Sequence, residues 1–349
     1  MLTDKRKGKR VKTARVNVRK TSVKLDELYE RFIEIKKAEG RAQSTLGQYE
    51  ENYGYFIEYL RKYDIPKEIN AITKDTIREY IVYMRDTLVK FEEHRFKNDD
   101  AKTTGLAPST INTRLKTLRV IFKCLEEEEH IKLNPMHGVK NVTELEEDIC
   151  VLDSEELKNL LAVPNKRSYA DFRDFVLMNF LLDCMTRISE AINLKISDFD
   201  LSSQLVTIPA SIAKNRKFRI LPLTRSTARL IGDLIRDNEA DFDSEYVFLT
   251  NYGERISRDH FRKRLNTFAE QAKITKNVHP HLFRHTSATM FLENGGDIRH
   301  LQKLLGHADL RMVVRYTHLS GTALAKQHAQ YSGMNQVLGN LNKKRKIKR

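Results

Sequence analysis

The stretch that decides the fold runs from His279 to Leu319, HPHLFRHTSATMFLENGGDIRHLQKLLGHADLRMVVRYTHL. Within it His281 and Arg284 stand three apart, so a helix places them on one face. An apolar helical run follows, Ile298, Leu301, Leu304 and Leu305, and Gly306 closes it with His307 next in line. Tyr316 comes nine residues after His307, on a short following segment. Two further pieces lie upstream: Arg187 in TRISE (186–190), leading directly into a helix, and Lys214 between two strand-like runs, the second ending in ILPL (220–223).

Each of these residues has an ordinary reading when taken alone. A tyrosine near the end of a chain is commonly a half-buried surface residue, a Leu-Gly-His step is normal helix-stop chemistry with glycine at the cap, and a lysine in a hairpin loop is usually solvated. His281 and His285 at i, i+4 raise the question of zinc, but the glutamate of H-E-x-x-H is missing and no cysteine is nearby, so no metal and no cofactor is expected. The conjunction is what carries information. Arg187, Lys214, His281-x-x-Arg284, Gly306-His307 and Tyr316, in this order and at these intervals, resemble the tyrosine recombinase (phage integrase) family, whose six catalytic positions are all filled here.

The resemblance implies a site built for a phosphodiester. Its transition state carries more negative charge on the non-bridging oxygens than the ground state, and fixed planar cations are the natural answer. Arg187 and Arg284 would grip those oxygens with charge-assisted hydrogen bonds, each worth on the order of 10³-fold where an arginine serves phosphoryl transfer. His281 and His307 would complete the cradle, and Tyr316 would be the nucleophile. A free phenol titrates near 10, so it needs a base or a strongly cationic site; by family resemblance that base is His281. Lys214 would protonate the leaving 5′ oxygen. The phosphotyrosine ester keeps the energy of the broken bond, so a second DNA 5′-hydroxyl can reverse the step and join a new partner.

Composition agrees with an anionic partner. The 349 residues carry a formal charge of +15, and its placement is uneven: residues 1–20 hold nine Lys/Arg against Asp4 alone, and residues 343–349 hold six with no acid. The tails therefore supply almost all of the excess. They offer sequence-independent, salt-sensitive attraction to phosphates, while the body must bind through locally sorted charge. The three cysteines, Cys124, Cys150 and Cys184, are far apart and form no C-x-x-C, so a reducing cytoplasm is expected, with neither disulfide framework nor membrane segment.

Along the chain the spacing together with the resemblance implies a basic tail (1–20), a helical DNA-binding domain (21–141), a linker (142–150) rich in acids, a catalytic domain (151–320), and a C-terminal helix with a basic tail (321–349). The first domain reads as four helices. One spans Thr21 to Gly40, with Leu25, Leu28, Phe32 and Ile35 at helical spacing; a second is capped by Ser44 and runs to Tyr63; a third covers Lys74 to Phe91; a fourth opens at Pro108-Ser109. Glu92 to Leu106 is expected to be a mobile loop. The fourth helix turns Ile111, Leu115, Leu118, Phe122 and Leu125 to one side and Asn112, Lys116, Arg119 and Lys123 to the other, a candidate DNA-binding stripe. These helices are similar to the family's core-binding domain, and with only 20 residues before them the arm-binding domain of larger phage integrases is expected to be absent.

In the catalytic domain Asp153 or Ser154 caps a helix, an apolar helix (172–182) leads to Arg187, and strands at 205–209 and 218–223 flank the Lys214 loop, with a possible third at 246–249. Helices near 224–238 and 258–272 precede the decisive stretch. The expected fold class is mainly α with a small antiparallel β-sheet, in two domains. One departure bears on the site: the family usually has glycine two residues before the first arginine, and this chain has Met185. If that position needs positive φ, methionine costs about 1 kcal/mol or more.

The reading is a site-specific recombinase that cleaves and rejoins double-stranded DNA at core sites through 3′-phosphotyrosyl intermediates. The resemblance further implies a homo-tetramer on DNA, accessory proteins as possible partners, and a mobile genetic element as the setting. A type IB topoisomerase and a catalytically silent DNA-binding protein are the rivals. The core-binding helices argue against the first, and the intact residue set argues against the second.

Overall fold

The computed structural model describes residues 23–90, 102–144, 150–306, 309–314, 316, 325 and 328–332. Both tails, His307 and most of the expected C-terminal helix (322–338) lie outside the described residues. The chain divides into two compact units, Met1–Glu146 and Glu147–Arg349.

The first unit is built on α1 (Leu25–Ala38), α2 (Gln43–Lys62), α3 (Lys74–Val82) and α4 (Pro108–Glu127). Each presents one apolar stripe, and Leu28, Phe32, Phe56, Leu60, Ile77, Leu115 and Phe122 are fully or almost fully buried in a single core. Three expected boundaries move. The first helix begins at Leu25 rather than Thr21, and Lys24 pairs with Glu68 instead. The residue at the start of α2 is Ala42 and no side chain caps it, so Ser44 sits inside the first turn. The third helix stops at Val82 and continues as one π turn, Tyr83–Thr87, instead of reaching Phe91. The chain then folds back to a bridge between Val89 and Thr104. Gly105 makes this possible: its φ is +82, its N–H donates to the Leu88 carbonyl at 2.8 Å, and a Cβ there would lie 2.2 Å from the Arg85 carbonyl oxygen.

The second unit opens with α5 (Ser154–Ala162), which Asp153 caps by accepting from the N–H groups of Glu155 and Glu156, both at 2.8 Å. Its centre is α6 (Tyr169–Cys184), whose Val176, Leu177, Met178, Phe180 and Leu181 are buried. A helix apolar on several sides belongs inside, and α6 packs on α8 (Arg225–Asp241) and α10 (Pro280–Glu293). A buried ionic cluster ties α6 to α9 (Arg258–Gln271): Asp174 accepts from Arg173 and Arg264, and Arg173 also donates to the Leu249 carbonyl at 2.7 Å.

The sheet is antiparallel, in the order β1 (Phe199–Asp200), β2 (Leu205–Ile208), β3 (Arg219–Pro222). The expected third strand at 246–249 is not part of it. That segment makes only isolated bridges, Lys195 with Tyr246 and Leu249 with Arg255, and the edge strand comes from 199–200 instead. Register pairs Ile208 with Arg219 and Val206 with Leu221. Because side chains alternate across a strand, Arg219 shares the inward face of β3 with buried Leu221, while Phe218 and Ile220 are exposed. The short α7 (Ile188–Ala191), α11 (Ile298–Leu305) and α12 (Arg311–Val314) also belong to this unit.

Candidate active site

Five of the six expected catalytic residues are described, and all five belong to the second unit. The C-terminus of α6 sets the first. Met185 takes the left-handed conformation, φ 52 and ψ 28, so this position does require positive φ. The turn it makes brings the chain back through Thr186 to Arg187, which is extended and opens α7. Met185 is also buried, packed with Ala288, Leu292, Leu301, Leu305, Val313 and Tyr316. The side chain that strains the turn is thus part of the wall around the tyrosine.

Arg187 is held by Glu190, one helical turn on. The Glu190 carboxylate accepts from the Arg187 backbone N–H and from its Nη1, both at 3.1 Å. It also accepts from Arg219 Nη2 at 2.6 Å. Glu190 is wholly buried. Burial pushes its pKa up, but the hydrogen bond and charge of Arg219, helped by Arg187, outweigh this and hold it below the ordinary value. One buried carboxylate therefore faces two guanidinium groups, which fixes both and leaves the trio with net positive charge.

Arg284, on α10, is 4% exposed. Two of its donors go to the ends of neighbouring elements, Nη1 to the Met185 carbonyl and Nη2 to the Leu305 carbonyl at 2.6 Å. Burial and the positive charge of Arg187 pull its pKa down to about 10, while Glu190 and Tyr316 act in the opposite direction. A guanidinium under that strain gains when an anion arrives.

His281 stands one turn before His285 on the same helix, on an exposed rim. Partial loss of water, and then repulsion from His279, Arg284, Arg187 and Lys214, lower its pKa. Lys214 is exposed in the β2–β3 loop. Its neighbour Asn215 anchors that loop by donating to the Gly306 carbonyl at 3.1 Å. Gly306 ends α11 with φ +61, and a Cβ there would lie 3.2 Å from Arg219 Cδ. The loop carrying Lys214 and the turn that leads into His307 are thereby joined. His307 itself lies outside the described residues.

Tyr316 is 3% exposed, and its hydroxyl is 2.9 Å from His285 Nδ1. Nothing in the sequence marks His285 beyond its i, i+4 spacing from His281, and Glu190, Arg219 and Asn215 fall outside the six family positions. Two of these left a signal. Glu190 follows Arg187 at helical spacing, and Arg219 is a charged residue on the inward phase of an apolar strand.

The candidate DNA-binding stripe of α4 is placed as follows. Asn112 donates to the Val142 carbonyl at 2.9 Å and accepts from the Val142 N–H at 2.8 Å. Arg119 donates to the Val139 carbonyl at 3.3 Å and to Asn141 Oδ1 at 3.1 Å. Both fasten the segment after α4 to the helix. Lys116 and Lys123 are exposed, the latter 3.5 Å from Glu127.

A helical unit followed by a unit in which two arginines, a hairpin lysine, a histidine and a buried tyrosine are drawn together defines a DNA strand-transfer enzyme of the tyrosine type. Residues 150–322 match the profile described as the phage integrase family, and residues 24–142 match the phage integrase SAM-like domain. The chain belongs to the phage integrase family of tyrosine recombinases. It is 26% identical over 316 residues to tyrosine recombinase XerD of Listeria monocytogenes, covering 88% of this chain and 99% of that one. It is 30% identical over 293 residues to tyrosine recombinase XerC of Bacillus pumilus, covering 79% and 94%. Among solved structures, the Tn1549 transposon integrase in complex with a circular intermediate DNA shares the fold, with a TM-score of 0.68 at 16% identity, covering 88% of this chain and all of that one. So does XerH site-specific recombinase bound to palindromic difH substrate, at 0.65 and 19%, covering 87% and 84%.

Proposed function

We propose that this enzyme breaks and rejoins DNA at specific core sites through a 3′-phosphotyrosyl intermediate, with Tyr316 as nucleophile, Arg187 and Arg284 on the non-bridging oxygens, His281 and His307 completing the cradle, and Lys214 as general acid. The observation that carries the reading is the placement of Arg284, 4% exposed and held by the Met185 and Leu305 carbonyls, with the charges of Arg187 and Tyr316 close enough to act on it. Such a site has collected cations around a nucleophile and is best satisfied by the extra negative charge of a phosphoryl transition state. Exposed Lys214 on an anchored loop suits a group that must meet a leaving oxygen and retreat.

In this reading the helical unit grips double-stranded DNA, with Lys116 and Lys123 as direct phosphate contacts and Asn112 and Arg119 acting through the 139–144 segment they hold. The basic tails add salt-sensitive affinity. The enzyme works as a homo-tetramer that synapses two sites, acts in the cytoplasm, and serves a mobile element, with accessory proteins setting direction. Among the described residues no helix is long and apolar enough to cross a membrane.

A nicked suicide duplex, built on the site that the protein selects from a random-sequence pool, tests the chemistry. The wild type is expected to give a covalent adduct, and Tyr316→Phe none, with DNA affinity within a few-fold. An adduct that persists in the phenylalanine variant would show that another residue attacks. Relaxation of a plasmid without strand exchange would favour the topoisomerase reading.

A further inference from the structure

The resemblance offers His281 as the base for Tyr316, but the group in contact with the hydroxyl is His285. Its Nδ1 is 2.9 Å from Tyr316 Oη, and the two rings have centroids 5.6 Å apart at 40°. That distance lies inside the range a general base needs to reach the proton it takes, about 2.6–3.2 Å. The surroundings make the contact matter. Tyr316 is almost wholly buried among Met185, Ala288, Leu292, Leu301, Leu305 and Val313, with the Arg284 charge near enough to act on it, and so far from water the phenol proton needs a fixed acceptor.

The two histidines of α10 divide the work by position. They are one turn apart on a helix that also carries Arg284. His281 is surrounded by the cations that would hold the phosphate, Arg187, Arg284 and Lys214, and among the described residues it makes no hydrogen bond. His285 is turned to the nucleophile.

We propose that His285 is the catalytic residue that accepts the Tyr316 proton, an assignment that rests on the recombinase reading above. The ring starts neutral with its hydrogen on Nε2, so that Nδ1 accepts from the phenol. As the Oη–P bond forms, the phenol proton passes to Nδ1 and the electron pair of the O–H bond goes to phosphorus. The P–O5′ bond breaks, and the leaving oxygen takes its proton from Lys214. In rejoining, a 5′-hydroxyl attacks phosphorus, Lys214 recovers a proton from it, and imidazolium His285 returns its proton to the departing phenolate. Each group ends as it began.

The test compares wild type, His285→Ala and His285→Asn as full-length proteins in single-turnover cleavage of the nicked suicide duplex. Asparagine places a polar atom where Nδ1 was, so it can keep the hydrogen bond but cannot take the proton. Both variants are expected to lose on the order of 100-fold in cleavage rate or more, with DNA affinity within about threefold of wild type. His285→Asn cleaving within about fivefold of wild type would overturn the proposal in favour of simple positioning. His285→Ala cleaving faster than wild type would overturn it in favour of a resting latch. Wild type forming no adduct on the selected duplex would bring down the recombinase reading itself, and this assignment with it. A measurement that needs no variant stands beside these: ring ¹⁵N spectra of the wild-type protein should show His285 with hydrogen on Nε2, and hydrogen on Nδ1 would make it a donor to Tyr316 and overturn the proposal.

Discussion

Met185→Gly restores the residue usual in the family, yet here it should weaken the protein. Two effects oppose one another. Met185 has φ 52 and ψ 28, a conformation that costs a residue with a Cβ about 1–2 kcal/mol, and glycine removes that strain. The methionine side chain is also packed in the cluster around Tyr316, with the residue only 6% exposed. Deleting a buried side chain of this size costs about 2–5 kcal/mol. Packing wins, and the net loss should be about 1–3 kcal/mol, a fall in melting temperature on the order of 5 °C for a unit of roughly this size. Met185→Ala loses the same packing without relief of the turn, so it should be worse than glycine by about 1 kcal/mol. The assay is thermal unfolding of the three full-length proteins, following the transition of the second unit. A glycine variant melting at or above wild type would refute the packing argument, and equal melting of the two variants would refute the strain. The Met185 carbonyl that receives Arg284 survives in both, so adduct formation below the melting transition should suffer much less than when Tyr316 is changed.

Lys214→Ala should nearly abolish cleavage of a normal duplex and recover on a 5′-bridging phosphorothiolate, whose sulfur leaves without a proton; equal damage on both substrates would exclude the general-acid role. Glu190→Gln leaves Arg187 and Arg219 without their shared charge and should cost about 3 kcal/mol, the low end for a broken buried pair because Arg187 keeps some water. The Glu190 pKa lies below its ordinary 4.5 in the folded protein, so its contribution is complete above that pH and is lost as pH falls through the folded value. The stability gap between wild type and Glu190→Gln, measured by denaturant titration, should therefore be flat from about pH 5 to 8 and shrink in acid; a gap that widens in acid would contradict the sign. Truncation after Ser320 should leave binding to a single site nearly intact and weaken tetramer assembly on native gels, relative to a control neutralised only at Lys343–Arg349; equal assembly would show that the removed segment does not join protomers.

Much of the fold is carried by short-range pattern. Leu25, Leu28 and Phe32, or Ile111, Leu115, Leu118 and Phe122, recur at the helical period and are the residues found buried. Asp153 announces α5 because a cap acts on N–H groups only two and three residues away. Where local pattern failed, a contact distant in sequence had intervened. The third helix ends early because the chain must return to pair Val89 with Thr104 across a turn that only Gly105 fits. The third strand comes from 199–200 because register against β2, rather than the apolar run at 246–249, decides which segment joins the sheet.

The active site divides along the same line. The order of Arg187, Lys214, His281, Arg284 and Tyr316 is a property of the chain, and so is the chemistry that their side chains permit; both were legible without coordinates. What each side chain touches was not. Arg284 reaches back 99 residues to the Met185 carbonyl, Arg219 meets Glu190 across 29, and Asn215 finds Gly306 across 91. The choice between His281 and His285 turns on which imidazole of one helix face meets a tyrosine 31 residues further on. Residue types and local spacing are written in sequence because they depend on neighbours a few positions away. The partner of a buried donor depends on how helices and strands pack, so only the tertiary structure decided which cations share a carboxylate and which histidine meets Tyr316.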